Sequence, residues 1–247
     1  MALTSNTFFL RRGKMLEFLA SLESTPDAIA RSIYLPRELP EEEINTLLTK
    51  ALQPDSFPEE LVTLTSRSTN GAAIFWGSGG RYLISPPFPI TGRELFKGYA
   101  PETLKLLLQS DWAIGVIVVH LGTYAVAYCQ GERIIASKTG TGLVHGRHKK
   151  GGSSQQRFQR RRDNQAREFL ERVCVHAREQ LEPQARSLDY VAFGGPRHTV
   201  LSLKKQCPFL HSLEGPVLPL VDAPWPKGEI LSKTLLRIWS SRVTEWR

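Results

Sequence analysis

The chain has 247 residues, 41% of them hydrophobic, enough to bury a core without help from metal or disulfide staples. Its 32 Lys and Arg outnumber 24 Asp and Glu, for a net charge of +8 and a pI near 9.6, which favours an anionic partner. Cys129, Cys174 and Cys207 are odd in number, far apart and free of CxxC spacing, so neither a disulfide framework nor a zinc knuckle is expected, and a reducing cytoplasm fits best.

The first 22 residues carry Arg11, Arg12, Lys14 and Glu17 and lack the unbroken apolar core of a secretory signal. No run approaches the roughly 18 consecutive apolar residues of a membrane span, so a soluble protein with no membrane partner is expected. Residues 13 to 55 read as helices: Met15, Leu16, Phe18, Leu19 and Leu22 share a face, and Pro40-Glu41-Glu42-Glu43-Ile44 sets proline and acids at a helix start. Ala72 to Trp76 and Arg81 to Ile84, separated by Gly77-Ser78-Gly79-Gly80, predict a β-hairpin. Pro86, Pro87 and Pro89 argue against regular structure after it, and Thr103 to Gln109 predict a short helix. A boundary near residue 108 is expected, with a smaller, mainly helical region before it.

Beyond it, Ala113 to Val119, Tyr124 to Cys129 and Arg133 to Ala136 predict a three-stranded meander turning at Leu121-Gly122-Thr123 and Gln130-Gly131. Ala166, Phe169, Leu170, Val173, Ala177 and Leu181 recur at helical spacing and predict a long helix ending before Pro183. A strand at Tyr190 to Phe193, a helix near His198 to Lys205, a strand at Val217 to Val221 and a closing helix at Ile230 to Trp239 complete an α/β (α+β) pattern: a mixed sheet with covering helices over residues 109 to 247.

Between Glu132 and Asp163 there is no acidic residue, while Arg133, Lys138, Arg147, Lys149, Lys150, Arg157, Arg160, Arg161 and Arg162 supply nine positive charges beside His145 and His148. A solvated basic face is the plain alternative, but charges flanking a glycine pair without neutralising partners favour RNA. Ser153-x-x-Gln156 matches a capping box, in which Ser153 caps the long helix and Gln156 reaches back to it. Gln155 has no such local duty and stands beside free backbone N–H groups at the helix start, which makes it the candidate catalytic residue, with Gln156 as the alternative. Gly151 and Gly152 permit close backbone approach. His145-x-x-His148 lacks the third ligand of a catalytic zinc site, so no metal and no cofactor are expected. Gly194-Gly195-Pro196 reads first as a strand-to-helix turn, and His120 and His176 as structural.

Gly71 to Gly77, Pro86 to Pro89, Ile114 to Val118 and above all His145-Gly146-Arg147-His148-Lys149-Lys150-Gly151-Gly152 with Arg157-Phe158 resemble the eukaryotic and archaeal class I peptide-release factors. That resemblance implies a Gly-Gly-Gln loop, here over residues 139 to 156, whose glutamine positions water against the ester of peptidyl-tRNA. In an ungapped alignment the family glutamine falls on Ser153, with Gln155 and Gln156 two and three positions later. This departure is similar to the Vms-like release-factor group, in which the tripeptide is relaxed and a glutamine stays close by. The likeness implies an RNase H-like catalytic domain and a peptidyl-tRNA hydrolase in ribosome rescue and quality control. It implies as partners the large ribosomal subunit, rRNA and peptidyl-tRNA, in the cytoplasm. Two other outcomes are cleavage of the tRNA near its 3′ CCA end and a non-catalytic RNA-binding module. No motif in residues 1 to 70 predicts stop-codon reading.

Overall fold

The structure is a computed structural model that describes residues 3–53, 56–143, 154–223 and 229–247. It divides into two compact units, residues 1–110 with 239–247, and residues 111–238. The first unit opens with β1 (Ser5–Leu10), α1 (Arg12–Glu23) and β2 (Arg31–Leu35). Helices α2 (Glu41–Leu52) and α3 (Glu59–Ser66) follow. In α2, Ile44, Leu48 and Leu52 fall at i, i+4 spacing and are buried, while Glu41, Glu42 and Glu43 complement the positive end of the helix dipole. The expected hairpin is β3 (Ala72–Gly77) with β4 (Gly80–Ser85), paired up to Gly77 opposite Gly80, which leaves Ser78-Gly79 as a two-residue turn. β5 (Glu94–Lys97) comes after the prolines, and α4 (Glu102–Gln109) buries Leu104 and Leu108.

The second unit contains β6 (Ala113–His120), β7 (Thr123–Gln130) and β8 (Arg133–Thr141) as an antiparallel meander. All eight residues of β6 are buried, as in a strand covered on both faces. Then come α5 (Ser154–Leu181), β9 (Tyr190–Gly194), α6 (Arg197–Gln206) and α7 (Ile230–Ile238). The sheet order is β8-β7-β6-β9, with β9 parallel to β6. Val217 and Val221 make isolated parallel bridges to Val191 and Gly194, so the strand expected at Val217 to Val221 is reduced to two contacts. Counted from Ala113 the strand order is third, second, first, fourth, with those bridges on the outer side of β9. Ile117, Val119, Tyr124 and Val126 meet Phe169, Leu170, Val173, Ala177 and Leu181 of α5 and Val200 and Leu203 of α6 in one core. Alternate residues Val116, Val118, Ala125 and Ala127 face the opposite side, and α7 lies against β6 and β7.

The chain closes on a strand, not on a helix: β10 (Ser241–Trp246) runs between β1 and β4 in a six-stranded sheet ordered β1-β10-β4-β3-β2-β5. The second domain expected to reach residue 247 therefore stops at Ile238, and the last nine residues belong with the first unit. Trp239 is fully buried there, its ring 4.7 Å from that of Phe88 and Arg12 4.4 Å above it. The first unit is built on this sheet rather than on helices with a lone hairpin. β2, within the stretch read as helical, is buried between β3 and β5, so its sequence lacks the polar alternation that marks a half-exposed strand. The cysteine reading is also corrected: Cys174 of α5 and Cys207, just past α6, form a disulfide with Cα atoms 5.5 Å apart. Cys129 is free and buried.

Candidate nucleic-acid interface

Charge is divided sharply between the units. The first carries 13 basic and 13 acidic residues, the second 19 and 11, so the whole net charge of +8 resides in residues 111–238. Two elements frame the basic tract there. β8 is the edge strand of its sheet, with Arg133 and Lys138 exposed, and α5 begins at Ser154 with no acid in its first turn. His145, Arg147, His148, Lys149, Lys150, Gly151, Gly152 and Ser153, and with Ser153 the expected cap, lie outside the described residues.

Gln155 and Gln156 are the second and third residues of α5, and Gln156 is exposed. Arg157, Arg160 and Arg161 are exposed on the side of the helix turned away from the Phe169, Val173 and Ala177 stripe, and Arg162 is half-buried. The side chain of Gln155 lies outside the described residues. Among the arginines stands Phe158, 62% exposed, a ring with a free face in a cationic field. Sequence reading gave Phe158 no role; an aromatic residue interleaved with arginines was the available signal.

The remaining candidates have structural duties. His120 is buried, with Nε2 3.0 Å from the Ala223 carbonyl. His176 pairs with Glu179 at 2.8 Å and stacks on Tyr124, ring centroids 5.5 Å apart. Gly195 has φ +105°, and a Cβ there would strike the Val119 carbonyl, which explains the glycine by the turn alone. No group of three or more His, Cys, Asp or Glu is placed to hold a metal ion among the described residues. No helix among them is long and apolar enough to cross a membrane.

A family model described as Actinobacteria/chloroflexi VLRF1 release factor matches residues 112–244. The chain belongs to this family. It is also 29% identical over 202 residues to peptide chain release factor subunit 1 of Aeropyrum pernix, covering 70% of this chain and 54% of that one. With the same factor of Methanosphaera stadtmanae it shares 39% identity over 98 residues, 40% of this chain and 24% of that one. The chain thus spans about half or less of the length of these curated relatives. A solved archaeal translation termination factor, aRF1, superposes with a TM-score of 0.36 and 17% identity, covering 93% of this chain and 73% of that one. The resemblance read from the loop motif is confirmed at the level of the family: this is a release-factor-like protein of mixed α/β fold.

Proposed function

We propose that the protein is a peptidyl-tRNA hydrolase that frees nascent chains from tRNA on stalled large ribosomal subunits. The observation that carries this reading is the acid-free basic tract that runs from β8 into the first turns of α5, in the unit holding all the net charge, together with membership of a release-factor family. Arg157, Arg160, Arg161 and Arg162, with His145, Arg147, His148, Lys149 and Lys150, hold ribosomal RNA and tRNA. Each phosphate contact lowers log K by roughly 0.7 to 0.9 per decade of salt. The exposed ring of Phe158 stacks on an unpaired base. Gly151 and Gly152 let the backbone approach the acceptor end.

Gln155 acts in the peptidyl-transferase centre, its backbone N–H donating to the developing oxyanion while its side chain restricts the attacking water; Gln156 is the alternative. The glutamine does not abstract a proton. Its role is position and charge stabilisation, so no nucleophile–base pair is required of the protein. Water adds to the ester carbonyl, the ribose 3′ oxygen leaves with a proton, and the products are a free peptide carboxylate and intact tRNA. The protein then works in the cytoplasm in association with the ribosome.

The bond broken is tested by incubating the protein with purified large subunits that carry peptidyl-tRNA labelled in both peptide and tRNA. Free peptide with full-length tRNA is the expected product. A tRNA shortened at its 3′ end would replace ester hydrolysis by phosphodiester cleavage, and labelled peptidyl-tRNA left whole would reduce the protein to a binding module.

A further inference from the structure

Among the described residues the two sheets end in β1, β5, β8 and β9, and three of these edges are guarded. β5 is four residues long and carries Glu94 and Lys97. β8 carries Arg133 and Lys138 and breaks register opposite Tyr128 and Cys129, while the outer side of β9 is met by Val217 and Val221. Charge, shortness, irregularity and cover are the devices that keep one sheet from pairing with another. β1 shows none of them: Ser5-Asn6-Thr7-Phe8-Phe9-Leu10 holds no charge and no proline, and its register with β10 is unbroken. Thr4 and Arg247 exchange both backbone bonds, at 3.0 and 3.1 Å. With the alternation of an antiparallel ladder, the even residues of β1 therefore bond to β10, and Ser5, Thr7 and Phe9 turn their N–H and C=O groups outward. All three are exposed, Phe9 to 71%.

We propose that β1 is the docking edge for a second copy of this chain, the two β1 strands pairing antiparallel about a two-fold axis at Thr7. Ser5 then stands opposite Phe9 of the second copy and Phe9 opposite its Ser5, which matches every outward group of the strand. The charges at its two ends select this partner and this register. At the start of β1, Glu60 of α3 accepts from Ser5 Oγ and from Trp246 Nε1, both at 3.2 Å, and so lies on the face that Ser5, Thr7 and Phe9 share. At the other end, exposed Arg11 continues the extended backbone with φ −70° and ψ 158°, which puts it on the same face. Antiparallel pairing sets Arg11 of each copy opposite Leu3 of the other, diagonal to Ser5 and within a long side chain's reach of Glu60. A parallel pair would bring acid to acid and base to base. Phe9 is covered by the second strand and leaves water. Because both copies use the same edge, the assembly closes at two, with the guarded β5 at either end of the joined sheet. The pairing is independent of the release reaction.

The contact is small for a protein interface, so the dimer is set by concentration. Sedimentation of the full chain should give a monomer at about 1 μM and a dimer at about 100 μM, for a Kd on the order of 10 μM. Thr7→Lys and Thr7→Glu each set like charges opposite one another at the axis and should abolish the dimer at about 100 μM, while an equal mixture of the two variants restores it. Arg11→Glu, at an exposed position outside the strand, should weaken the dimer about fivefold or more, because the contact with Glu60 occurs twice. Amide hydrogen exchange locates the interface. Ser5, Thr7 and Phe9 are expected to be protected at about 100 μM and to exchange freely in either Thr7 variant alone, while β10 keeps its protection and so reports an intact sheet. A wild type that stays monomeric at about 100 μM would overturn the proposal, whether those amides exchange freely or are protected by another segment of the same chain. A dimer that survives in both Thr7 variants, a mixture that stays monomeric, or an Arg11→Glu dimer of unchanged strength would do so as well.

Discussion

Asp27 shows how one side chain can hold a turn that lies far away in sequence. One carboxylate oxygen accepts hydrogen bonds from Ser78 Oγ at 2.9 Å and the Gly79 amide at 3.0 Å, across the Ser78-Gly79 turn; the other accepts from the amides of Ile29 and Ala30, each at 3.1 Å. Burial raises its pKa and these donors lower it, and the donors prevail, leaving it below 3.8. A depressed folded-state pKa gives stability that is present in full above the unfolded value and is lost as pH falls through the folded one. Asp27→Asn should therefore be less stable than wild type at pH 6, with the difference narrowing as pH falls below the ordinary carboxylate range. Urea unfolding followed across that fall in pH measures this; a constant difference would mean that the carboxylate charge is not what holds the turn.

At the scale of elements, α5 is tied to the end of α6 by Cys174–Cys207, which closes a loop across a separation of 33 residues. Such a link stabilises by about 2 to 4 kcal/mol, largely through the unfolded chain. Reduction should lower the urea midpoint accordingly. Burial pushes the Cys129 thiol up to about 12, so thiol titration should find no reactive group in the unreduced native protein, one after denaturation and three after reduction. Three thiols in the denatured, unreduced protein would contradict the pairing. Spacing could place Cys174 on a helix and Cys207 beyond another, but the crossing that brings them together is a tertiary fact. The meander and α5 were legible because a glycine turn between apolar runs and a 3.6-residue period are local signals. β10 was not: Ser241–Trp246 pairs with Ser5–Leu10 and with Arg81–Ser85, partners that no window around residue 243 contains. The site divides in the same way. A charge run is visible in one dimension, so the arginine cluster could be read from the sequence, whereas the burial that sets Arg162 apart from Arg160 and Arg161 is visible only after folding.

In the whole molecule, the chain starts in one sheet, builds a second unit and returns to the first with its last strand. Val243 is fully buried and Trp246 nearly so, each in a different core of the first unit. Deleting residues 239–247 should therefore unfold the first unit while the second keeps its protected amides, as hydrogen exchange would report. Loss of protection in β6 to β9 instead would place the C-terminal strand in the wrong unit. The first unit is neutral and the second strongly basic, and under the proposed function RNA binding and the release step fall to the second. Release itself is the most direct test of that assignment. In single turnover on large subunits carrying labelled peptidyl-tRNA, Gln155→Ala should bind as wild type does and release peptide about 10² to 10³-fold more slowly, while Gln156→Ala retains most of the activity. Unchanged release by Gln155→Ala would contradict the account.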